Sequence, residues 1–232
     1  MGGQACVLYG AAQFGRDLDL VILADPANYG RLRAALDELG AERIAVPDLQ
    51  PEALARGHAV HFRCRASGVE GLRIDVMARL RGAAEFAELW DRRTTLESGG
   101  DSDLDVLSLP DLVAAKKTQR DPDWPTIAAL VEIHHEEWRD DPTPDRVAFW
   151  LTETRSAERL INLAAAYPDQ AAALIPARPL LASAISGDAE TLRIELNAEV
   201  MAEQERDRIY WEPPKREMEA FSRAARATQA AP

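Results

Sequence analysis

With 232 residues, 47% of them apolar, the chain is long enough for one large domain or two small ones with a proper core. Its formal net charge of −12 excludes broad, sequence-independent binding of DNA or RNA, which needs clustered Lys and Arg. Two cysteines, Cys6 and Cys64, exclude a disulfide framework at this size, and no stretch has the length of a membrane span or the make-up of a signal peptide, so a cytoplasmic protein is expected.

In chain order, Gly2-Gly3 precedes a short helix or turn over residues 4–10. Residues 17–23, rich in branched aliphatics and stopped by Asp25-Pro26, form a strand. Leu32, Ala35, Leu36 and Leu39 recur at helical spacing, which predicts a helix over 29–39 with Gly40 as its stop. A strand over 41–46 and a loop with a helical turn over 47–57 follow. Residues 59–64 and 72–77 read as two strands of a hairpin turning at Ala66-Ser67-Gly68. Residues 86–90 are helical, and 104–107 form a short strand.

From Ser108 onward the pattern is helical. Ser108 or Asp111 can cap a helix over 112–117, and Asp123, ahead of Pro125, caps another that runs through Ile127, Leu130, Val131 and His134. A polar linker over 139–144 leads to three helices, over 145–167, 169–185 and 188–209. The last steps through Leu192, Leu196 and Val200. The tail beyond Trp211-Glu212-Pro213-Pro214 starts helical and frays over 227–232. The fold class expected is α+β, with a mixed sheet flanked by helices over 1–138 and an all-helical domain over 139–232.

The chemistry centres on Asp17-Leu18-Asp19. Residues i and i+2 of a strand face the same side, so both carboxylates aim at one spot. Such a pair is costly unless a cation or a proton neutralises it, and all-oxygen ligands favour Mg²⁺ or Mn²⁺. The bland alternative is a solvated strand end. Asp75, between Ile74 and Val76, is either a polar residue of an edge strand or a buried carboxylate that needs a partner. Lys116 and Arg120 stand at i, i+4 spacing, suited to phosphate, while Lys117 reads as an ordinary solvated cation. His58, His61, His134 and His135 make no zinc pattern and read as structural or surface residues. Trp124, Trp138, Trp150 and Trp211 read as packing residues.

The succession Gly2-Gly3, short helix and Asp17-x-Asp19, followed by Asp75 in GLRIDVM, resembles the nucleotidyltransferase superfamily, in its bacterial branch of AbiEii-like toxins and minimal nucleotidyltransferases. Asp111–Trp124 (DLVAAKKTQRDPDW) also resembles that family's basic helix, and the likeness covers residues 1–135. The resemblance implies transfer of a nucleoside monophosphate from an NTP to a hydroxyl or amine of a small molecule, protein or RNA end. It implies Asp17, Asp19 and Asp75 as catalytic metal ligands for Mg²⁺ or Mn²⁺, with Gly2, Gly3, Lys116 and Arg120 holding the nucleotide. The chain departs from the pattern in two places. Gln4 and Gly15-Arg16 stand where relatives carry Ser or Thr. A glycine pair of this kind usually follows a strand, and here either that strand is absent or the start lies upstream. A non-catalytic copy of the fold, binding a protein partner through its helical C-terminal region, is the alternative expectation.

Overall fold

Period-two alternation sorts the first strand. In a computed structural model, which describes residues 1–97, 99 and 103–229, β1 (Asp17–Val21) turns Leu18 and Leu20 toward a hydrophobic core. Asp17, Asp19 and Val21 then line the opposite face. The order runs α1 (Gly2–Leu8), β1, α2 (Pro26–Glu38), β2 (Glu42–Arg43), α3 (Pro51–Ala55), β3 (Val60–Arg63), β4 (Arg73–Met77), α4 (Phe86–Asp91), β5 (Thr94–Leu96), β6 (Leu104–Val106) and α5 (Leu109–Lys116). The main sheet has the order β1-β4-β3-β2, with β1 and β4 parallel and the other pairings antiparallel. β5 and β6 form a separate antiparallel pair.

Tyr29, Leu36, Leu54, Val60, Phe62, Ile74 and Val76 close the core over the apolar face. Asp25 caps α2 by accepting the N–H groups of Ala27 and Asn28. Ser108 caps α5 by accepting the N–H of Asp111. Cys6 and Cys64 are buried, and the Cys6 thiol donates to the Gly2 carbonyl.

The remaining helices are α6 (Asp123–Trp138), α7 (Pro144–Glu153), α8 (Ala157–Ala166), α9 (Pro168–Leu174), α10 (Leu181–Ser186) and α11 (Ala189–Gln229). Trp150, Leu151, Leu160, Leu181, Leu192 and Leu196 form the centre of their core. Contacts gather the chain into two compact units. One comprises 1–8, 12–115 and 208–232, the other 9–11 and 116–207. The molecule is mixed α+β with a helical C-terminal region, and among the described residues no helix is long and apolar enough to cross a membrane.

Several boundaries differ from expectation. The helix expected over 145–167 is two helices, because Thr154 is extended and Ser156 caps a new start by accepting the Arg159 N–H. The helix expected over 169–185 is broken in the segment that holds Pro176 and Pro179, which remove N–H donors and clash with the preceding turn. Conversely, α11 continues past Ile209 through Pro213 and Pro214 to Gln229. The expected fraying falls partly on residues 230–232, outside the described residues. Gly2 and Gly3 are no free-standing turn but the first residues of α1, and β5 was not expected at all.

Candidate functional site

The polar face of the main sheet is built by strand register. Asp19 is the cross-strand partner of Asp75 on the parallel β1–β4 pair, and Asp17 that of Arg73. Across the antiparallel β3–β4 pair, His61 stands opposite Asp75. All three expected acidic residues, Asp17, Asp19 and Asp75, therefore share one face. Asp75 lies on an interior strand, not an edge, and is buried.

Protein groups already answer these charges. His61 Nδ1 is 2.8 Å from Asp75 Oδ1. The Arg73 guanidinium donates to both Asp75 oxygens, at 3.4 and 3.3 Å, and lies 3.7 Å from Asp17. Burial pushes the Asp75 carboxyl up, but His61 and Arg73 together outweigh it and hold the group below the usual carboxylate range. Asp17 and Arg73 side chains remain about one-third exposed, at 35% and 37%.

Asp19 takes its contact from the glycine pair. The Gly3 N–H donates to Asp19 Oδ2 at 3.3 Å, and the Met1 amine donates to the Asp19 carbonyl at 2.8 Å. Gly2 has φ of 68°, and a Cβ placed on it would stand 1.9 Å from Asp19 Oδ2, so only glycine fits against this carboxylate. The Gly3 N–H expected to cradle phosphate thus points at Asp19. Gln4, in place of a hydroxyl residue, donates to the Gly15 carbonyl at 3.0 Å and anchors the loop that enters β1.

The oxygen donors suit a hard divalent ion in kind but not in arrangement. Among the described residues no group of three His, Cys, Asp or Glu is placed to hold a metal. A guanidinium sits where such an ion would neutralise Asp17 and Asp75.

Lys116 and Arg120 belong to the second compact unit and share no helix, because α5 ends at Lys116. Both are bound to Asp123, at 2.9 Å from Lys116 and at 2.8 and 3.0 Å from Arg120, with Thr118 donating as well. Asp123, expected as a helix cap, is the first residue of α6 and the buried centre of this knot. Burial raises its carboxyl, and Arg120, Thr118 and Lys116 pull it down further, to a net lowering. Lys117, expected to be solvated, pairs with Glu153 at 2.6 Å.

His61 and Arg73 are the residues missed from sequence, and a signal for both existed. In a hairpin with strands over 59–64 and 72–77, Cys64 pairs with Leu72, and its N–H does donate to the Leu72 carbonyl. Counting back three residues brings His61 opposite Asp75, and Arg73 shares that face by period two.

No protein-family model matches the chain. No curated protein matches it either.

Proposed function

We propose that the polar face of the main sheet serves nucleotidyl transfer in the cytoplasm, moving a nucleoside monophosphate from an NTP to a hydroxyl or amine acceptor. One observation supports this reading: Asp19 and Asp75 are in register on parallel strands, with Asp17 two residues away on the same face and a glycine backbone packed on Asp19. The cation such chemistry calls for, Mg²⁺ or Mn²⁺, enters the proposal only with Arg73 turned away from Asp17 and Asp75. The Arg73 side chain is about one-third exposed. With the guanidinium withdrawn, Asp17 loses its ion pair and Asp75 keeps its His61 contact, so the face has more negative charge to be neutralised.

His61 has a definite part in this reading. Its hydrogen bond orients Asp75 and fixes one ring nitrogen, leaving the other for proton transfer at the acceptor. The test is incubation of the chain with each labelled NTP, Mg²⁺ or Mn²⁺ and a cell extract, beside the Asp17→Asn/Asp19→Asn double variant. Label transfer lost in the variant is the expected result, and absence of transfer in the wild type overturns the reading.

A second reading, a non-catalytic copy of the fold acting as a binding or regulatory module, draws on the Arg73 bridge. A carboxylate cluster neutralised by the protein itself has no need of an ion. NTP binding without transfer would favour it.

A further inference from the structure

Where β1 ends, a cavity of about 500 Å³ opens in the first unit, within the size range of small-molecule sites. Val21, Leu23, Asn28, Arg31, Phe86 and Trp90 line it. Two of these walls are large apolar side chains left in water: Leu23 is 46% exposed and Trp90 44%. Exposure of a tryptophan is unfavourable unless something covers it.

Trp90 nevertheless has packing partners. Its ring stacks on Phe86 one helical turn earlier, with centroids 5.8 Å apart and planes 19° from parallel. Arg93 lies over it at 4.0 Å, and Arg93 is itself tied to the Trp90 carbonyl (2.7 Å) and to Asp105 (2.9 Å). Arg93 lines a smaller adjoining cavity and is not among the residues that line this one, whereas Phe86 and Trp90 line both. A packed, half-exposed aromatic surface loses little freedom when a flat ring stacks on it.

The lining also carries polar groups. Asn28 Nδ2 donates to the Leu23 carbonyl, which fixes its orientation, and Arg31 donates to Asn28 Oδ1. An amide and a guanidinium beside an aromatic wall can read the polar edge of a heterocycle.

Position along the strand links this cavity to the acidic face. Val21 lines the cavity and lies on the same face as Asp19, two residues on, about 7 Å along an extended chain. That span matches the reach of a pentose between a base and its phosphate.

We propose that this cavity binds a planar heteroaromatic ring, stacked on Phe86 and Trp90, and that the ring is the base of the nucleotide whose phosphates reach the acidic face. The cavity as a ring site stands on its own geometry, whereas the identity of the ring rests on the nucleotidyl-transfer reading.

The test is calorimetric titration of the whole chain with the four NTPs, the matching nucleosides and tripolyphosphate, in Mg²⁺, for wild type, Trp90→Ala and Trp90→Phe. Stacking on one aromatic side chain is worth enough that Trp90→Ala weakens the preferred NTP and its nucleoside about tenfold or more. Trp90→Phe keeps most of the affinity, and tripolyphosphate is unaffected. Should Trp90→Ala not fold, wild-type emission serves instead: the stacked ring quenches it, and Trp90→Phe loses that component of the quench. NTP binding equal in all three proteins overturns the ring site and leaves nucleotidyl transfer standing. Trp90-dependent nucleoside binding, with triphosphates no tighter and no label transfer, keeps the ring site and overturns its nucleotide assignment. No binding of nucleoside or nucleotide overturns the inference outright.

Discussion

Two acid-centred clusters use the same side-chain types to different ends. In the second unit, Asp123 is only 4% exposed, and Lys116, Thr118 and Arg120 all donate to it. In the first unit, Asp17 and Asp75 share one guanidinium that is about one-third exposed, His61 adds an imidazole to Asp75, and Asp19 beside them accepts the Gly3 N–H. The first arrangement is closed: every lone pair finds a donor inside the protein, so the knot acts on stability. The second is open: like charges stand side by side, and water reaches Asp17 and Arg73. A carboxylate beside a cation therefore says little by itself. What separates a structural knot from a candidate site is whether the local charges balance in the dry interior.

The largest expected effect breaks the closed cluster. Asp123→Ala leaves Lys116 and Thr118 without their shared acceptor in a largely buried place, and a stability loss of about 3 kcal/mol is expected from urea titration. A loss below about 1 kcal/mol would put the knot on a par with ordinary surface ion pairs and dissolve the contrast.

A comparable effect is expected from acid, again in the second unit. His134 accepts the Trp150 indole N–H at 2.9 Å on Nδ1, and Phe149 packs on its ring edge-on. Burial first, then the Arg146 and His135 charges, push its pKa down to about 4. The unfolded chain takes up this proton below about pH 6.5, whereas the folded chain refuses it until about pH 4. The stabilisation is complete above pH 6.5 and is lost as pH falls toward 4, by about 3 kcal/mol in total. Urea midpoints measured across that range should fall in the wild type and stay flatter in His134→Phe. Asp75 adds to acid sensitivity only lower, as pH drops through the range below ordinary carboxylates, because its folded pKa is depressed.

The smallest effect sharpens the open cluster. Arg73→Met removes the shared cation, and a loss of about 1 kcal/mol is expected in a chelating buffer. If the carboxylates can hold an ion, Mg²⁺ or Mn²⁺ restores that stability and binds Arg73→Met more tightly than wild type. Failure of both ions to stabilise the variant would favour the non-catalytic reading.

Much of the scaffold was legible from local pattern. The strands near residues 17, 60 and 73 followed from short aliphatic runs, the body of α2 from its helical spacing and the first turn of α5 from Ser108, while the Asp25 cap that starts α2 at Pro26 was read only as the stop of a strand. Local signals were also passed over. Pro176 and Pro179 stand inside a stretch expected to be one helix, and Ser156 is a cap inside another. β5 is three residues long and gains its identity only by pairing with β6, which no local pattern announces. The Lys116–Arg120 pair misled because i, i+4 spacing has meaning only if the helix continues, and it ends at Lys116.

The candidate site divides along the same line. Alternation within Asp17–Val21 was enough to set two carboxylates against Leu18 and Leu20, because side-chain direction in a strand follows from backbone geometry alone. Only the tertiary structure chose what faces them. Arg73 and Asp75 reach Asp17 and Asp19 through pairing of β1 with β4, more than fifty residues away, and His61 reaches Asp75 through pairing of β3 with β4. Which charge neutralises which is a property of that register, and register is settled by the core packed on the far side of the sheet, not by any one segment.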